Sequence, residues 1–388
     1  MRICMVVYSF YESDNRVMRY AESLVKRGND VTVIALRKDD QLYKETYKGV
    51  NLYRIQKRVK NEKRLTTFMA RLMKFLLKSS IVLIRLQIKK PFQLIHVHNV
   101  PDFLVFSAFL TKLRGAKIIL DCHDIVPEFY ASKFRENNKS LLFKALVLVE
   151  KASAAFADHV IASNHLWGKT LVSRSVKEGK CTVIMNYPDQ SVFYRRPRTR
   201  NDNKFIMLYP GTFNWHQGLD IAVKAFNLIK EKAPEAELHM YGSGNTQTAL
   251  QALINELGLQ GRVFLEDSLP IEEVVKIMAN ADLGIVPKRN DPFGGTAFST
   301  KILEFMSLGI PVIVSDTKID TYYFNDSLVK FFKAGDEDDL AQSMLAMIHD
   351  KGLRDSLSQN ALKFIEDYTW ETKKTMYLDL VDSLVRKK

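Results

Sequence analysis

Two stretches of this 388-residue chain combine polar side chains with the local geometry that anion binding needs. The first runs from Phe298 to Ser315 and begins FSTKILEFMS. A helix starting near Ser299 would aim its first free amides at the loop before it, which favours a phosphate there. Ser299 and Thr300 stand at that start, and Lys301 adds a positive charge in the first turn. Glu304 follows one turn later, where a carboxylate can accept both hydroxyls of a ribose. Gly309-Ile310-Pro311 then closes the helix and opens a strand. The plain alternative is an amphipathic helix with a surface Lys and Glu.

The second stretch, Leu208 to Leu219, reads LYPGTFNWHQGL. Gly211 lets backbone approach a ligand closely, and Thr212, Asn214, His216 and Gln217 offer donors for a diphosphate. A tight loop plugged by a buried Trp215 is the alternative. In the first half of the chain, Leu120-Asp121-Cys122-His123-Asp124 ends a strand. His96 and His98, followed by Asn99, end another. Two histidines alternating on a strand share a face, as a metal site requires, but no third ligand stands nearby in sequence. His98 and Asn99 read instead as polar groups lining a cleft, with no metal.

Residues 54 to 90 carry twelve Lys or Arg, among them Arg54, Lys57, Arg58, Arg71, Lys74 and Lys78, against the single acid Glu62. Phe68, Leu72, Phe75 and Leu76 recur among them at helical spacing. That composition suits a helix lying on an anionic membrane. It equally suits a helix packed on a sheet with a solvated basic face. The interleaved aromatics that bind single-stranded nucleic acid are missing, so nucleic acid is not an expected partner.

The elements that must position these groups alternate strand and helix. Arg2–Tyr8 is an apolar run like a buried parallel strand. Ser13-Asp14-Asn15 supplies N-cap chemistry for a helix that ends at Gly28, and Val31–Leu36 is the next strand. This βαβ opening implies a parallel sheet. Further strands are expected at 94–97, 117–120, 159–162 and 182–185. A basic turn-rich segment, 195–203, separates them from a second set at 205–209, 237–241, 262–265, 283–286 and 311–314. The expected fold is α/β: two doubly wound Rossmann-like domains facing across a cleft, with ligands beyond the carboxyl ends of the strands. The domains are expected at 1–190 and 203–365, with residues 366–388 a helix crossing back to the first.

Composition fits this. Apolar residues make up 46% and charged residues 26%, and the net charge of +13 favours anionic partners. Cys4, Cys122 and Cys181 lie in or beside apolar runs and read as buried thiols of a reducing compartment. The start of the chain reads directly into a strand and no apolar run is long enough to span a bilayer, so the expected location is cytoplasmic, with peripheral attachment to the inner membrane face as an option.

Taken together, the stretches 298–315 and 208–219 resemble the C-terminal half of family-4 retaining glycosyltransferases of the GT-B fold. Met240-Tyr241-Gly242-Ser243-Gly244, Ala281-Asp282-Leu283-Gly284-Ile285-Val286-Pro287 and Tyr368-Thr369-Trp370-Glu371 are similar to further marks of that family. So are Phe156-Ala157-Asp158-His159-Val160-Ile161 and Val183-Ile184-Met185-Asn186 in the first half. The resemblance implies a UDP- or GDP-linked sugar donor held by Gly211, Thr212, Gln217, Gly242, Ser299, Thr300, Lys301 and Glu304, with Glu304 on the ribose. It implies a glycan or lipid-linked acceptor, surface polysaccharide or glycolipid synthesis, and no cofactor or metal. His123 is implied to contact the donor sugar, with Asp124 orienting His123 or the acceptor, and Arg16 and the helix start at Asp14-Asn15 helping to hold the acceptor.

The chain departs from the family pattern in three places. Thr296 stands where a glutamate is usual, with Asp291 or the amides of Gly294-Gly295 as substitutes. Thr212 and Gln217 stand where an arginine and a lysine are common, leaving Lys301 to supply the charge ahead of Lys288 and Arg289. A sugar-nucleotide epimerase of the same fold, and a non-catalytic nucleotide-sugar-binding partner protein, are the alternative functions.

Overall fold

The computed structural model describes residues 1–58, 65–134 and 140–386. Lys60, Glu62, Lys63 and Arg64 of the basic stretch lie outside the described residues. The chain forms two compact units, Met1–Asn186 with Lys374–Lys388, and Tyr187–Lys373.

The first unit contains β1 (Arg2–Val7), β2 (Asp30–Arg37), β3 (Lys44–Tyr47), β4 (Val50–Lys57), β5 (Leu94–His98), β6 (Lys117–Cys122), β7 (His159–Ala162) and β8 (Cys181–Val183). Its helices are α1 (Asn15–Lys26), α2 (Leu65–Lys89), α3 (Phe109–Leu113), α4 (Val126–Phe134), α5 (Leu141–Phe156) and α6 (His165–Arg174). The sheet order is β3-β4-β2-β1-β5-β6-β7-β8. Every pairing is parallel except the β3–β4 hairpin. Ile3, Cys4, Met5 and Val6 of β1 are fully buried, as strands covered on both faces require. α1 starts where its sequence signals: Asp14 accepts the amide of Val17 at 3.2 Å, and Ser9 Oγ donates to the other Asp14 oxygen at 2.8 Å.

The hairpin of β3 and β4 was not expected from the sequence. Arg54, counted there in a membrane-facing basic stretch, is 2% exposed in β4 and forms ion pairs with Glu12 and, at 2.7 Å, with Glu45. A buried arginine needs such partners; Glu45 comes from the paired strand β3 and Glu12 from the turn before α1. α2 also corrects the reading of its faces. Leu72 and Phe75 point inward, Phe75 lying edge-on to Tyr8 at 5.1 Å. A separate stripe of Met69, Met73, Leu77, Ile81 and Ile88 is exposed.

The second unit contains β9 (Phe205–Pro210), β10 (Ala236–Tyr241), β11 (Val263–Glu266), β12 (Leu283–Val286), β13 (Val312–Ser315) and β14 (Lys330–Phe332). Its helices are α7 (Leu219–Ile229), α8 (Gln247–Glu256), α9 (Ile271–Ala279), α10 (Thr300–Leu308), α11 (Lys318–Tyr323), α12 (Glu337–His349) and α13 (Lys351–Ile365). The last helix, α14 (Trp370–Arg386), begins in this unit and ends in the first. The six strands are all parallel, in the order β11-β10-β9-β12-β13-β14. Strand order therefore reverses between β9 and β12 here, and between β1 and β5 in the first unit. The crevice beyond the strand ends at such a reversal is where doubly wound sheets bind ligands.

Asp158 and Asp282 of the two Ala-Asp pairs build these sheets. Asp158 accepts the amide of Ile118 in β6 at 2.8 Å and pairs with Lys112. Asp282 accepts the amide of Ile206 in β9 at 2.8 Å and pairs with Arg198 and Arg200 of the connecting segment. Each carboxylate satisfies a backbone donor near the start of a neighbouring strand.

Candidate active site

In the second unit, the loop after β9 and the start of α10 come together. Gly211 has φ +152°, and a Cβ there would meet Lys301 Cε at 2.2 Å and Nζ at 2.7 Å. The missing side chain thus leaves room for a lysine, which lies across Gly211 with its ammonium 5.1 Å from the centre of the Tyr209 ring. Gly242 serves the loop itself: with φ +157°, a Cβ would stand 1.7 Å from the carbonyl oxygen of Gly211. Backbone bonds from Gly211 N to Tyr241 O (2.8 Å) and from Phe213 N to Ser243 O (2.9 Å) continue the ladder past the strand ends. Both glycines are therefore required by protein packing against them.

Lys301 makes no hydrogen bond or ion pair among the described residues. Burial lowers its ammonium below the usual lysine range, partly opposed by Glu304 one turn on. The other two candidate cations are occupied. Lys288 is buried against Asp320 at 2.9 Å and donates to Ala297 O. Arg289 pairs with both oxygens of Asp220 and lies 4.7 Å over the Trp215 ring. Ser299 is the N-cap of α10 without a side-chain cap bond, and its buried Oγ has no partner among the described residues. Thr300 is the first residue of α10, and Glu304 lies one turn beyond the free amides.

The remaining residues of the loop are arranged less simply. Thr212 is exposed, and its carbonyl accepts the Tyr209 hydroxyl at 3.0 Å. Gln217 Nε2 lies 3.0 Å from His216 Nε2, and burial holds His216 below the usual histidine range. A neutral ring so placed accepts that amide bond. Trp215 is 39% exposed, so it is not the buried plug of the alternative reading. The suggested replacement for the glutamate usual at Thr296 also meets a physical obstacle. Asp291 accepts the amides of Phe293 (2.9 Å) and Gly294 (3.0 Å), and Gly295 N donates to Asp291 O at 2.8 Å. Thr296 Oγ1 contacts the carbonyls of Pro292 and Phe293. These glycine amides are taken up by their own loop.

In the first unit, the parallel register sets His98 beside Asp121, and β6 delivers His123 just past its end. Asp121 is fully buried, accepting Arg16 Nε and NH2 at 2.8 Å each. Its Oδ2 is also 3.2 Å from both His98 Nδ1 and His123 Nε2. Burial alone would raise this carboxyl, but Arg16 and then His123 outweigh it and hold the group well below the usual carboxylate range. His123 retains 19% side-chain exposure, and Asn99 Oδ1 accepts its backbone amide at 2.7 Å. The carboxylate oriented toward His123 is thus Asp121. Asp124 is held through its backbone, its carbonyl accepting Asn99 Nδ2 at 2.8 Å.

Two expectations change here. Arg16, read as an acceptor-holding residue, is 4% exposed and bonded to Asp121 and Asn186, so it holds the site together from inside. His96 and His98 do have a third potential ligand, Asp121, supplied from 23 residues beyond His98. Both oxygens of that carboxylate already accept from Arg16, a cation that competes with a metal ion for them.

Two α/β units with parallel sheets, one with a lysine and free amides at a helix start and the other with an oriented histidine at a strand end, are the architecture of a GT-B protein. Two family descriptions match the chain: "Glycosyltransferase Family 4" over residues 14–189 and "Glycosyl transferases group 1" over residues 191–364. The chain belongs to the family-4 glycosyltransferases and is a glycosyltransferase of the GT-B fold. It is 25% identical to an uncharacterized glycosyltransferase, MJ1607, of Methanocaldococcus jannaschii, over 90% of this chain and 89% of the relative. It is 23% identical to the capsular polysaccharide biosynthesis glycosyltransferase CapM of Staphylococcus aureus, over 62% and 67% of the two chains. The Anabaena protein Alr3699/HepE, solved in complex with UDP and glucose, superposes with a TM-score of 0.75 at 16% identity, over 99% of this chain and 100% of that one.

Proposed function

We propose that the protein transfers a sugar, with retention of anomeric configuration, from a UDP- or GDP-linked donor to a glycan or lipid-linked acceptor in surface polysaccharide or glycolipid synthesis. The observation that carries this reading is Lys301: a partly buried cation that makes no hydrogen bond or ion pair among the described residues, with Glu304 one turn on as the carboxylate acting on it, lying over Gly211 at the first turn of α10. A diphosphate there receives the free amides of α10, the Ser299 and Thr300 hydroxyls and the ammonium. Glu304 then accepts the ribose hydroxyls, while Thr212, Gln217 and the Gly211 and Gly242 backbone complete the donor loop. The names of CapM and of the UDP-bound Anabaena protein agree with this reading.

In the proposed reaction the bond between the anomeric carbon and the departing phosphate breaks as the acceptor hydroxyl adds on the same face. The departing phosphate oxygen takes the acceptor proton, so no separate base is needed. Stabilising the charge that develops on the phosphate is the main task, and the pre-oriented amides of α10 and Lys301 perform it. Asp124 is assigned to the acceptor side on the grounds that Asp121 already orients His123.

The acceptor side includes an anionic membrane surface. No helix among the described residues is long and apolar enough to cross a membrane. The exposed stripe of α2 is joined, however, by Phe109, Leu110 and Leu113 of α3 and by Leu141, Leu142 and Leu148 of α5. The exposed Lys74, Arg85, Lys89, Arg114 and Lys144 accompany them. This pairing of apolar and basic groups suits lipid head groups.

The test is a screen of nucleotide sugars for thermal stabilisation, followed by product analysis with lipid-linked acceptors and assignment of the new anomeric centre. Transfer with an α-linked product from an α-linked donor supports the proposal. Turnover of donor without acceptor would indicate the epimerase alternative, and donor binding without turnover the non-catalytic one.

A further inference from the structure

The helix that ends the chain reaches the histidine site. Tyr377 of α14 is fully buried, and its hydroxyl lies 2.9 Å from His96 Nδ1. Its ring stacks on Tyr20 of α1 at 4.1 Å, and the Arg16 guanidinium lies 5.1 Å from the same Tyr20 ring. His96 Nε2 faces Asp121 Oδ2 at 3.7 Å, the oxygen that also meets His123. The His96 and His98 rings are 4.1 Å apart, and His98 Nδ1 is 3.1 Å from His123 Nε2.

We infer that Tyr377 is a positioning residue for His123, acting through His96 and Asp121. A His96 proton on Nε2 faces the Asp121 carboxylate, and that tautomer leaves Nδ1 to accept from the Tyr377 hydroxyl. Asp121 Oδ2 then accepts from Arg16 Nε and from the Nε2 proton of His123, with His98 Nδ1 beside that same proton and His96 behind them. In that arrangement His123 holds a proton on Nε2, facing Asp121. Burial keeps Tyr377 a phenol and keeps both His96 and His98 neutral, so the pattern persists across neutral pH. The charged and titratable groups facing this centre are Arg16 and Tyr20 from α1, His96 and His98 from β5, Asp121 and His123 from β6 and its end, and Tyr377 from α14. That His123 acts on the donor sugar rests on the proposed function; its tautomer does not.

Two readouts separate the two ideas. The first is the ring-nitrogen spectrum of ¹⁵N-histidine-labelled full-length protein across a pH titration, compared with Tyr377→Phe, His96→Gln and the double variant. Tyr377→Phe keeps the stacked ring and removes only the hydroxyl. The expected result is a shift of the His123 resonances away from the Nε2-protonated pattern in both single variants, with the double variant moving no further than the larger single. The second readout is transfer kinetics: kcat of Tyr377→Phe falls roughly three- to tenfold while the donor KM holds, the size of one lost hydrogen bond. A lower melting temperature with unchanged His123 resonances would overturn the inference, making Tyr377 a packing residue. So would additive shifts in the double variant. Shifted resonances in a protein that shows no transfer would retain the inference and reject the proposed function.

Discussion

Arg16 grips Asp121 through two bonds of 2.8 Å, with the two side chains 4% and 0% exposed, joining α1 to the end of β6 across 105 residues of chain. Water contributes almost nothing to either group, so each depends on the other for its charge.

Removing one partner of such a pair leaves the other buried and uncompensated. Arg16→Ala is expected to destabilise the protein by about 3–5 kcal/mol in urea unfolding. Arg16→Lys retains the charge but not the two parallel bonds, and loses part of that amount. Equal and small losses for the two variants would show that Asp121 finds other partners.

Gly242→Ala tests whether the donor loop is set by contact between backbones. The added Cβ would meet Gly211 O at 1.7 Å on a backbone of φ +157°. The expected loss is about 2–4 kcal/mol, with loss of nucleotide-sugar binding. Gly258→Ala is the control, since its φ of +63° is strained but nothing lies within 4 Å; it should cost about 1–2 kcal/mol. Similar losses at the two positions would mean that conformation alone, and not the Gly211 contact, governs Gly242.

Asp102 sets a pH dependence of opposite sign to the usual carboxylate. It is 3% exposed, and burial, assisted by Glu150 and opposed by the Asn99 bond, pushes its pKa up to about 7. From about pH 4 to about pH 7 the folded state therefore keeps a proton that the unfolded state has lost. This contribution to stability falls as pH rises through that window. Asp102→Asn retains a carbonyl for Asn99 Nδ2 and cannot ionise. Relative to the parent protein it should gain about 2–4 kcal/mol between pH 4 and pH 7. A difference independent of pH in paired unfolding curves would contradict this.

Much of the scaffold was legible because it follows from local rules. The apolar run of β1, the Asp14 cap of α1 and the strand–loop–helix around Ser299–Glu304 each need only neighbouring residues to be read. The β3–β4 hairpin was missed because Arg54 and its polar neighbours look solvent-facing until Glu12 and Glu45 are placed beside them. β14 was missed because three residues carry too little pattern to distinguish a strand. The loop around Gly211 stood out in the sequence, but the physical role of Gly211 and Gly242 depends on Lys301 and on each other. Asp121, the orienting carboxylate, stood two residues before His123, yet its links to Arg16 and, through His96, to Tyr377 appear only when distant segments are folded together.

The most direct test of the account is the affinity of the full-length protein for its nucleotide-sugar donor, measured by calorimetry on the parent and on Lys301→Met. The methionine keeps the aliphatic stem over Gly211 and removes only the charge. Binding is expected to weaken roughly 10- to 100-fold, the loss expected for charge-assisted bonds to a phosphate, with a melting temperature close to the parent's, because the ammonium makes no hydrogen bond or ion pair among the described residues. Unchanged donor affinity in Lys301→Met would contradict the placement of the diphosphate at the start of α10.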